Sequence, residues 1–289
     1  MSSSDTGMPV STSRAAPILF LHANGFPSGA YRQFLEVLGK HHEVIAPQVI
    51  DTPAAMRASQ RWPQMVEQVQ SIITESVAKH GSLAVVGHSM GGYLALMAGA
   101  RQSAPLAGIV LLDSPLVTGW RGTVFDALRV TGLTQRGGPA PIAARRRDRW
   151  ESSQKAREHF ESKTFAQRWA PGVLDDFIAH GLNTDPEGRV CLRIAREAER
   201  DIYAQLPAGR ALRAYRRLRD RGVPMHMIAG RYSAETRMAG RHAVQRLFGE
   251  RWHEIDGGHL VPMEKPRACA ELVLHCLSGQ GPSSRSPST

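Results

Sequence analysis

The residues best suited to chemistry lie in the pentapeptide Gly87-His88-Ser89-Met90-Gly91. A short apolar run at 83–86 precedes it, and a small-residue helical pattern follows it. A Gly-x-Ser-x-Gly sequence between a strand and a helix is typical of a nucleophile elbow, a strained turn that exposes a serine hydroxyl. The sequence therefore predicts Ser89 as a nucleophile. The alternative is a glycine-rich turn that contains an uninvolved serine.

A second unusual loop follows the first apolar run of the chain. Residues 17–21 (PILFL) run directly into His22-Ala23-Asn24-Gly25-Phe26-Pro27, and a helical pattern comes next. A loop of this kind leaves backbone N–H groups unpaired near the start of a helix. Such groups can meet negative charge as it develops in a reaction.

The elements that must position these loops alternate along the chain. Helical patterns cover 62–73 and 266–277, and strand candidates lie at 17–21, 44–46, 83–86, 108–112, 223–229 and 252–255. This alternation predicts an α/β protein with a mainly parallel sheet, right-handed crossovers and flanking helices.

Composition divides the chain into segments. Residues 1–16 and 279–289 are small, polar and rich in Ser, and we expect both to be disordered tails. Residues 17–115 and 222–278 carry the alternating pattern and form the predicted core. Between them, residues 116–221 are mainly helical and rich in arginine, with no strand candidate of comparable quality. We therefore expect a helical insertion.

Three motifs together give a resemblance. FLHANGFP, GHSMGG and GGHLVPMEKP stand in the order and at the separations of the α/β-hydrolase family, which the sequence resembles over most of its length. The resemblance implies the α/β-hydrolase fold, with residues 116–221 as a helical cap. It also implies His259 as the base that activates Ser89, and a hydrolase of esters, thioesters or C–C bonds. The backbone N–H groups of Met90 and Asn24 are the expected oxyanion hole.

The third member of the expected triad is less certain from sequence, because the family's usual acid position holds Ser233. A serine cannot carry a negative charge beside an imidazolium. Asp113, at the end of the strand that follows the elbow, is the favoured acid. Glu235, two residues past the usual position, is the alternative, and a further possibility is another residue, such as Asp256, or no acid at all.

The net charge of +10 is concentrated in the predicted insertion, most densely at Arg145-Arg146-Arg147-Asp148-Arg149. A nucleic-acid module would combine such a run with a recognisable fold and exposed aromatic residues. Neither is visible, so we expect no nucleic-acid partner. The simpler interpretation of the arginine-rich run is a solvated helical face. The more specific interpretation is that it steers an anionic substrate to the site.

Other sequence features restrict the remaining possibilities. No segment has the pattern of a secretory signal or the length of a membrane span. Cys191, Cys269 and Cys276 form no disulfide framework and have no metal-ligand spacing. We therefore expect a cytoplasmic protein without membrane partner, metal or cofactor, and leave the oligomeric state open.

The function predicted is hydrolysis of a small-molecule ester or thioester through an acyl-enzyme at Ser89. A C–C bond hydrolase or an acyltransferase could use the same residues. A catalytically silent α/β-hydrolase scaffold that acts as a binding module is the third hypothesis.

Overall fold

The computed structural model describes residues 15–50, 52–53, 55–103, 105–118, 122, 124, 127 and 139–279. Residues 1–14 and 280–289 of the predicted tails, and much of the first part of the predicted insertion, lie outside these residues. Among the described residues, no helix is both long enough and apolar enough to cross a membrane.

A six-stranded sheet forms the centre of the fold. Its strand order is β2-β1-β3-β4-β8-β9, and every neighbouring pair is parallel. The mainly parallel α/β architecture predicted from the sequence is therefore confirmed. The strands of this sheet are β1 (Ile18–Leu21), β2 (Val44–Ile45), β3 (Leu83–His88), β4 (Leu106–Leu112), β8 (Met225–Gly230) and β9 (Trp252–Ile255).

Twelve α-helices are assigned within the described residues. They are α1 (Arg32–Gly39), α2 (Ala58–His80), α3 (Met90–Gly99), α4 (Pro139–Arg145), α5 (Ser153–Glu161), α6 (Val173–Gly181), α7 (Arg196–Ala204), α8 (Ala208–Asp220), α9 (Ala234–Ala239), α10 (Arg241–Phe248), α11 (Val261–Glu264) and α12 (Pro266–Leu277).

Both faces of the sheet are buried, and β1 shows how. Leu19 and Leu21 join the apolar layer formed with α2 and α3. Ile18 and Phe20 join the opposite layer, formed with α1 and α12. Successive side chains of a strand point to opposite faces, so a strand covered on both faces must be apolar throughout. This explains the continuous apolar runs in the sequence.

The segment between β4 and β8 is not purely helical. It contains three short antiparallel strands in the order β5-β7-β6: β5 (Arg149–Trp150), β6 (Leu182–Thr184) and β7 (Val190–Leu192). The prediction of a mainly helical insertion did not include these strands. Strands of two or three residues are too short to show a two-residue alternation, which is why no pattern indicated them.

The end of this segment joins the sheet layers. Helix α8 packs against α3, and its residues Ala211 and Leu218 lie in the same apolar cluster as Leu94 of α3. Helix α7 is linked to α2 by an ion pair, in which Asp201 of α7 lies 3.1 Å from the buried Arg61 of α2. The helices α7 and α8 thus attach this end of the segment to α2 and α3.

Candidate active site

Ser89 stands between β3 and α3 in a strained backbone conformation, with φ 52° and ψ −112°. A positive φ at a residue other than glycine costs free energy and is maintained only by the surrounding structure. Here the surrounding backbone is very close. A Cβ at Gly87 would overlap the backbone of Gly91, and a Cβ at Gly91 would overlap the carbonyl group of Leu21. The two glycines therefore allow the turn to press against the end of β1.

His259 lies within reach of the Ser89 hydroxyl. It belongs to the loop between β9 and α11, and its Nε2 is 3.0 Å from Ser89 Oγ. This is the distance expected between the nitrogen of a general base and the oxygen whose proton it removes. The His259 side chain is 18% exposed, so one side of the pair is open to a substrate.

Asp113 lies on the other side of the imidazole. Its Oδ2 accepts a hydrogen bond from His259 Nδ1 at 2.6 Å. Asp113 directly follows β4, is completely buried, and has a positive φ of 39°. The structure thus brings Ser89, His259 and Asp113, the three residues favoured by the sequence, into one line of hydrogen bonds.

Three further donors hold the Asp113 carboxylate. Oδ1 accepts hydrogen bonds from the Gly230 backbone N–H at 2.9 Å and from Thr236 Oγ1 at 3.0 Å. Oδ2 accepts a second bond, from Ser233 Oγ at 2.6 Å. With His259 this makes four donors, which match the four lone-pair sites of an ionised carboxylate. Ser233, which stands where the resemblance implies a carboxylate, therefore donates to the Asp113 carboxylate instead.

Glu235 is close to the same imidazole but does not hydrogen-bond to it. Its Oε2 lies 3.9 Å from His259 Nδ1, and its side chain is 43% exposed. Asp256, the other option, is exposed and lies 3.9 Å from Arg231. Of the three carboxylates considered from the sequence, only Asp113 forms a hydrogen bond with His259.

The surroundings of His259 favour its protonated form. Burial lowers the pKa of His259, but the hydrogen bond and charge of Asp113, with smaller effects of Glu235 and Glu264, raise it. The net shift is upward from the ordinary value of 6.5. An imidazolium formed during a reaction would be stabilised by the same groups.

A buried chain of hydrogen bonds links the His259 loop to the loop after β1. Burial lowers the pKa of His88 to about 3, so its ring is neutral near pH 7 and has one N–H. His88 Nε2 must donate it, because its partner at 2.9 Å is the carbonyl oxygen of His259. His88 Nδ1 then accepts from the Tyr31 hydroxyl at 2.8 Å. The Tyr31 oxygen in turn accepts from the Ala23 N–H at 3.2 Å.

Tyr31 lies in the helical pattern that follows the first loop, and this pattern indicates only an apolar core residue. Its ring does pack in the core, against Phe20 at 4.9 Å between centroids. Only the hydroxyl takes part in the link described above, and a helical pattern cannot indicate what a hydroxyl contacts. No sequence signal would have distinguished this tyrosine from an ordinary core residue.

The two expected oxyanion donors lie in the loops that flank Ser89. Met90 is the first residue of α3, where a backbone N–H has no acceptor within the helix. The backbone N–H of Asn24 likewise has no acceptor among the described residues. The Asn24 side chain is engaged elsewhere, since its Nδ2 donates to the carbonyl oxygen of Glu199 at 3.0 Å. Asn24 Oδ1 is buried without a hydrogen-bond partner in the described part of the chain, but as an acceptor it cannot bind an oxyanion. The backbone N–H is therefore the Asn24 donor that is available to one.

The segment between β4 and β8 covers the loop after β1. A Cβ at Gly25 would lie 3.2 Å from Glu199 Cδ and 3.3 Å from Arg146 Nη1. Arg146 and Glu199 form an ion pair at 2.6 Å. The ring of Phe26 in the same loop packs edge-on against Trp169, with centroids 6.2 Å apart. Residues of this segment thus pack directly on the loop that contains Asn24.

The group formed by Asp113, Glu235 and His259 is a poor candidate for a metal site. Asp113, Glu235 and His259 offer ligand atoms within 4.8 Å of one another. However, all four lone-pair sites of Asp113 already accept hydrogen bonds, and a cation would have to displace these donors. The arrangement suits proton transfer between Ser89 and His259 better than metal binding.

Comparisons with known proteins agree with this fold. A sequence model described as the alpha/beta hydrolase family matches residues 18–272. No curated protein sequence matches the chain.

Three solved structures illustrate the likeness of the fold. A peroxisomal alpha-beta-hydrolase from Saccharomyces cerevisiae superimposes with a TM-score of 0.69 at 16% identity, over 96% of this chain and 83% of that one. The thioesterase domain of a curacin biosynthetic pathway gives 0.66 at 16%, over 91% and 92%. E-2-(acetamidomethylene)succinate hydrolase gives 0.64 at 14%, over 92% of both chains. At these identities the likeness concerns the fold alone.

Proposed function

Because the chain belongs to the alpha/beta hydrolase family, we propose that it is a serine hydrolase of carboxylic esters or thioesters. The observation that carries the proposal is the line of hydrogen bonds from Ser89 Oγ through His259 to Asp113, at 3.0 and 2.6 Å. A serine hydroxyl becomes a nucleophile when an adjacent base takes its proton and a third group orients that base.

In the proposed reaction, Ser89 Oγ attacks the carbonyl carbon while His259 Nε2 takes its proton. The N–H groups of Met90 and Asn24 bind the oxyanion, and each such donor contributes roughly 3 kcal/mol to stabilising the transition state. His259 then returns the proton to the departing alcohol or thiol, which leaves an acyl-enzyme. Water, deprotonated by His259, attacks the acyl carbonyl carbon. The bond from this carbon to Ser89 Oγ then breaks, His259 returns the proton to Oγ, and the carboxylic acid is released. Asp113 keeps the imidazole tautomer and stabilises the imidazolium.

Esters and thioesters differ in the leaving group, which is an alcohol or a thiol, and both form the same acyl-enzyme. Among proteins of the same fold, one is a thioesterase domain and another is a carboxylesterase. These neighbours support the substrate class without selecting between its members. The two activities are therefore best measured side by side, with p-nitrophenyl butyrate and butyryl-coenzyme A.

The deciding experiment is labelling of the folded full-length chain with a fluorophosphonate probe, followed by peptide mapping. We expect label on Ser89, and none on the Ser89→Ala variant. Ser71→Ala, which removes an exposed hydroxyl on α2, is the matched control and should label like the wild type. A folded protein that never reacts at Ser89 would contradict the proposal and favour a silent binding scaffold.

Labelling at Ser89 without turnover of either substrate would also contradict the ester or thioester assignment. In that case the same residues would serve a C–C bond hydrolase or an acyltransferase. Adding a primary alcohol as acceptor to the assay detects acyl transfer, because the product is then a new ester and not the free acid.

An anionic substrate stays a prediction, and the Arg146–Glu199 ion pair offers a way to test it. Burial raises the pKa of Glu199, against the opposing effect of Arg146. Glu199 therefore keeps its charge less firmly than an exposed glutamate, and an anionic substrate could compete for the guanidinium. We expect Arg146→Gln to lower kcat/KM for p-nitrophenyl hemisuccinate more than for p-nitrophenyl butyrate. Arg147→Gln is the control, and equal losses on both esters would contradict a role in charge recognition.

A further inference from the structure

A second group of chemically reactive side chains lies far from Ser89. His226, His253 and Cys276 each offer one possible ligand atom, an imidazole nitrogen or the thiol sulfur, and these three atoms all lie within 4.8 Å of one another. His226 and Gly230 lie four residues apart on β8, and Gly230 contacts Asp113. At about 3.3 Å per residue, His226 lies roughly 13 Å from the active-site end of that strand. The cluster shares no residue with the site described above.

The fold brings these residues together from three elements. His226 and Ile228 of β8 point to the same face of the sheet, because they are two residues apart. His253 of the edge strand β9 pairs with Ile228. Helix α12 covers this face, and Ile228 and Cys276 belong to one apolar cluster. The cluster is therefore a product of tertiary packing.

The distances fit a tetrahedral metal ion. Two imidazole nitrogens that bind one Zn²⁺ at about 2.05 Å with tetrahedral angles are about 3.3 Å apart. His226 Nδ1 and His253 Nε2 are 3.2 Å apart. Closing the remaining distance to the thiol needs a side-chain shift on the order of 1 Å. Both histidines are only partly buried while Cys276 is 6% exposed, so an ion could enter from the side of the histidines.

We propose that His226, His253 and Cys276 bind one transition-metal ion with the ligand preferences of Zn²⁺. Imidazole and thiolate are the ligands that Zn²⁺ and Co²⁺ select, whereas Mg²⁺ and Ca²⁺ prefer oxygen. The fourth position would hold water. The ion would join β8, β9 and α12, and would stabilise the folded chain in proportion to its occupancy.

The alternative is a hydrogen bond between two neutral imidazoles beside a buried thiol. The two interpretations differ in what the sulfur does. In a metal site the Cys276 thiolate is a ligand, and in the hydrogen-bonded pair it is only a packing group. A probe that reports a metal–sulfur bond separates them.

The experiment uses Co²⁺ on the full-length, reduced protein without a histidine tag. We expect one equivalent of Co²⁺ to produce a thiolate-to-metal charge-transfer band in the near ultraviolet, and Zn²⁺ to displace it. Cys276→Ser should abolish the band. His226→Gln and His253→Gln should each weaken Zn²⁺ binding at least tenfold in calorimetry, since even the loss of an outer hydrogen-bond partner can cost this much.

Cys269→Ser and Cys191→Ser are the matched controls, because both remove a thiol outside the cluster and should keep the band. No band at stoichiometric Co²⁺, or a band that survives Cys276→Ser, would overturn the proposal. If Cys276→Ser does not fold, His253→Gln at the partly exposed edge strand carries the test. Its melting temperature should then no longer rise on addition of Zn²⁺, and an unchanged rise would contradict the site.

Discussion

Ser233 donates a hydrogen bond to Asp113 Oδ2 at 2.6 Å, and the same oxygen accepts from His259. The residue at the family's usual acid position therefore holds the carboxylate that lies against His259. Asp113 comes from the end of β4, and Ser233 from the turn after β8. The ends of two neighbouring strands thus supply the carboxylate and one of the donors that hold it.

Replacing the carboxylate tests this arrangement directly. We expect Asp113→Asn to lower kcat for an ester substrate by about 10⁴, the loss seen when a triad loses its acid. Glu235→Gln is the matched control. It changes kcat by less than about tenfold, because this side chain is half-exposed and at 3.9 Å only adds to the field around His259. Steady-state kinetics on both variants measures the difference, and the reverse ranking would assign the acid to Glu235.

We expect Ser233→Ala to affect mainly the stability of the folded protein, and its catalytic rate less. The substitution removes a donor from a fully buried carboxylate, and also the oxygen that accepts from the Thr236 N–H at the start of α9. We expect the free energy of unfolding to fall by about 2 kcal/mol. Urea unfolding measures it. Ser278→Ala at the exposed end of α12 is the control, and equal effects of both variants would refute a special role of Ser233.

The pH dependence of activity follows from His259. The base must be neutral to accept the Ser89 proton, so kcat/KM should fall as pH decreases through the pKa of His259. Because this pKa is raised above 6.5 in the folded protein, the midpoint of the acidic limb should lie above pH 6.5. Asp113→Asn removes the largest raising effect and should move the midpoint to lower pH. A midpoint that is the same in both proteins would contradict the assignment.

The same shift has a consequence for stability. A raised pKa means that the fold favours the protonated imidazole, so the stabilisation is fully present below pH 6.5 and disappears as pH rises through the pKa of the folded state. Comparing urea unfolding of the wild type and His259→Gln across this interval should therefore show a difference that changes with pH in that direction.

Tyr31→Phe tests the buried link between the two loops. The change leaves His88 Nδ1 and the Ala23 N–H without their shared partner, so we expect a loss of about 2 kcal/mol in unfolding free energy. If the link also positions the loops, the oxyanion donors of the loop after β1 shift when it is lost. These donors act mainly in the transition state, so kcat should fall about tenfold while KM changes little. Tyr215→Phe, which removes a hydroxyl bonded to Leu247 at 2.8 Å, is the control. An unchanged kcat in Tyr31→Phe would limit the link to stability.

The sequence by itself determined the features that are local in the chain. The elbow around Ser89 is predictable because its glycines, strand and helix are adjacent, and steric exclusion at Gly87 and Gly91 acts between near neighbours. The parallel α/β sheet is predictable because continuous apolar runs that alternate with helical patterns can be buried on both faces in few ways.

Tertiary structure decided what depends on residues far apart in the chain. Whether Asp113 or Glu235 hydrogen-bonds to His259 depends on where the end of β4 meets the turn after β8, and differences of about 1 Å decide it. For the same reason, the sequence did not indicate the role of Tyr31 or the group formed by His226, His253 and Cys276. Spacing along the chain does not reveal which polar atoms a packed core brings within 3 Å of one another, because hydrogen bonds and metal bonds are short-range and packing alone sets those distances.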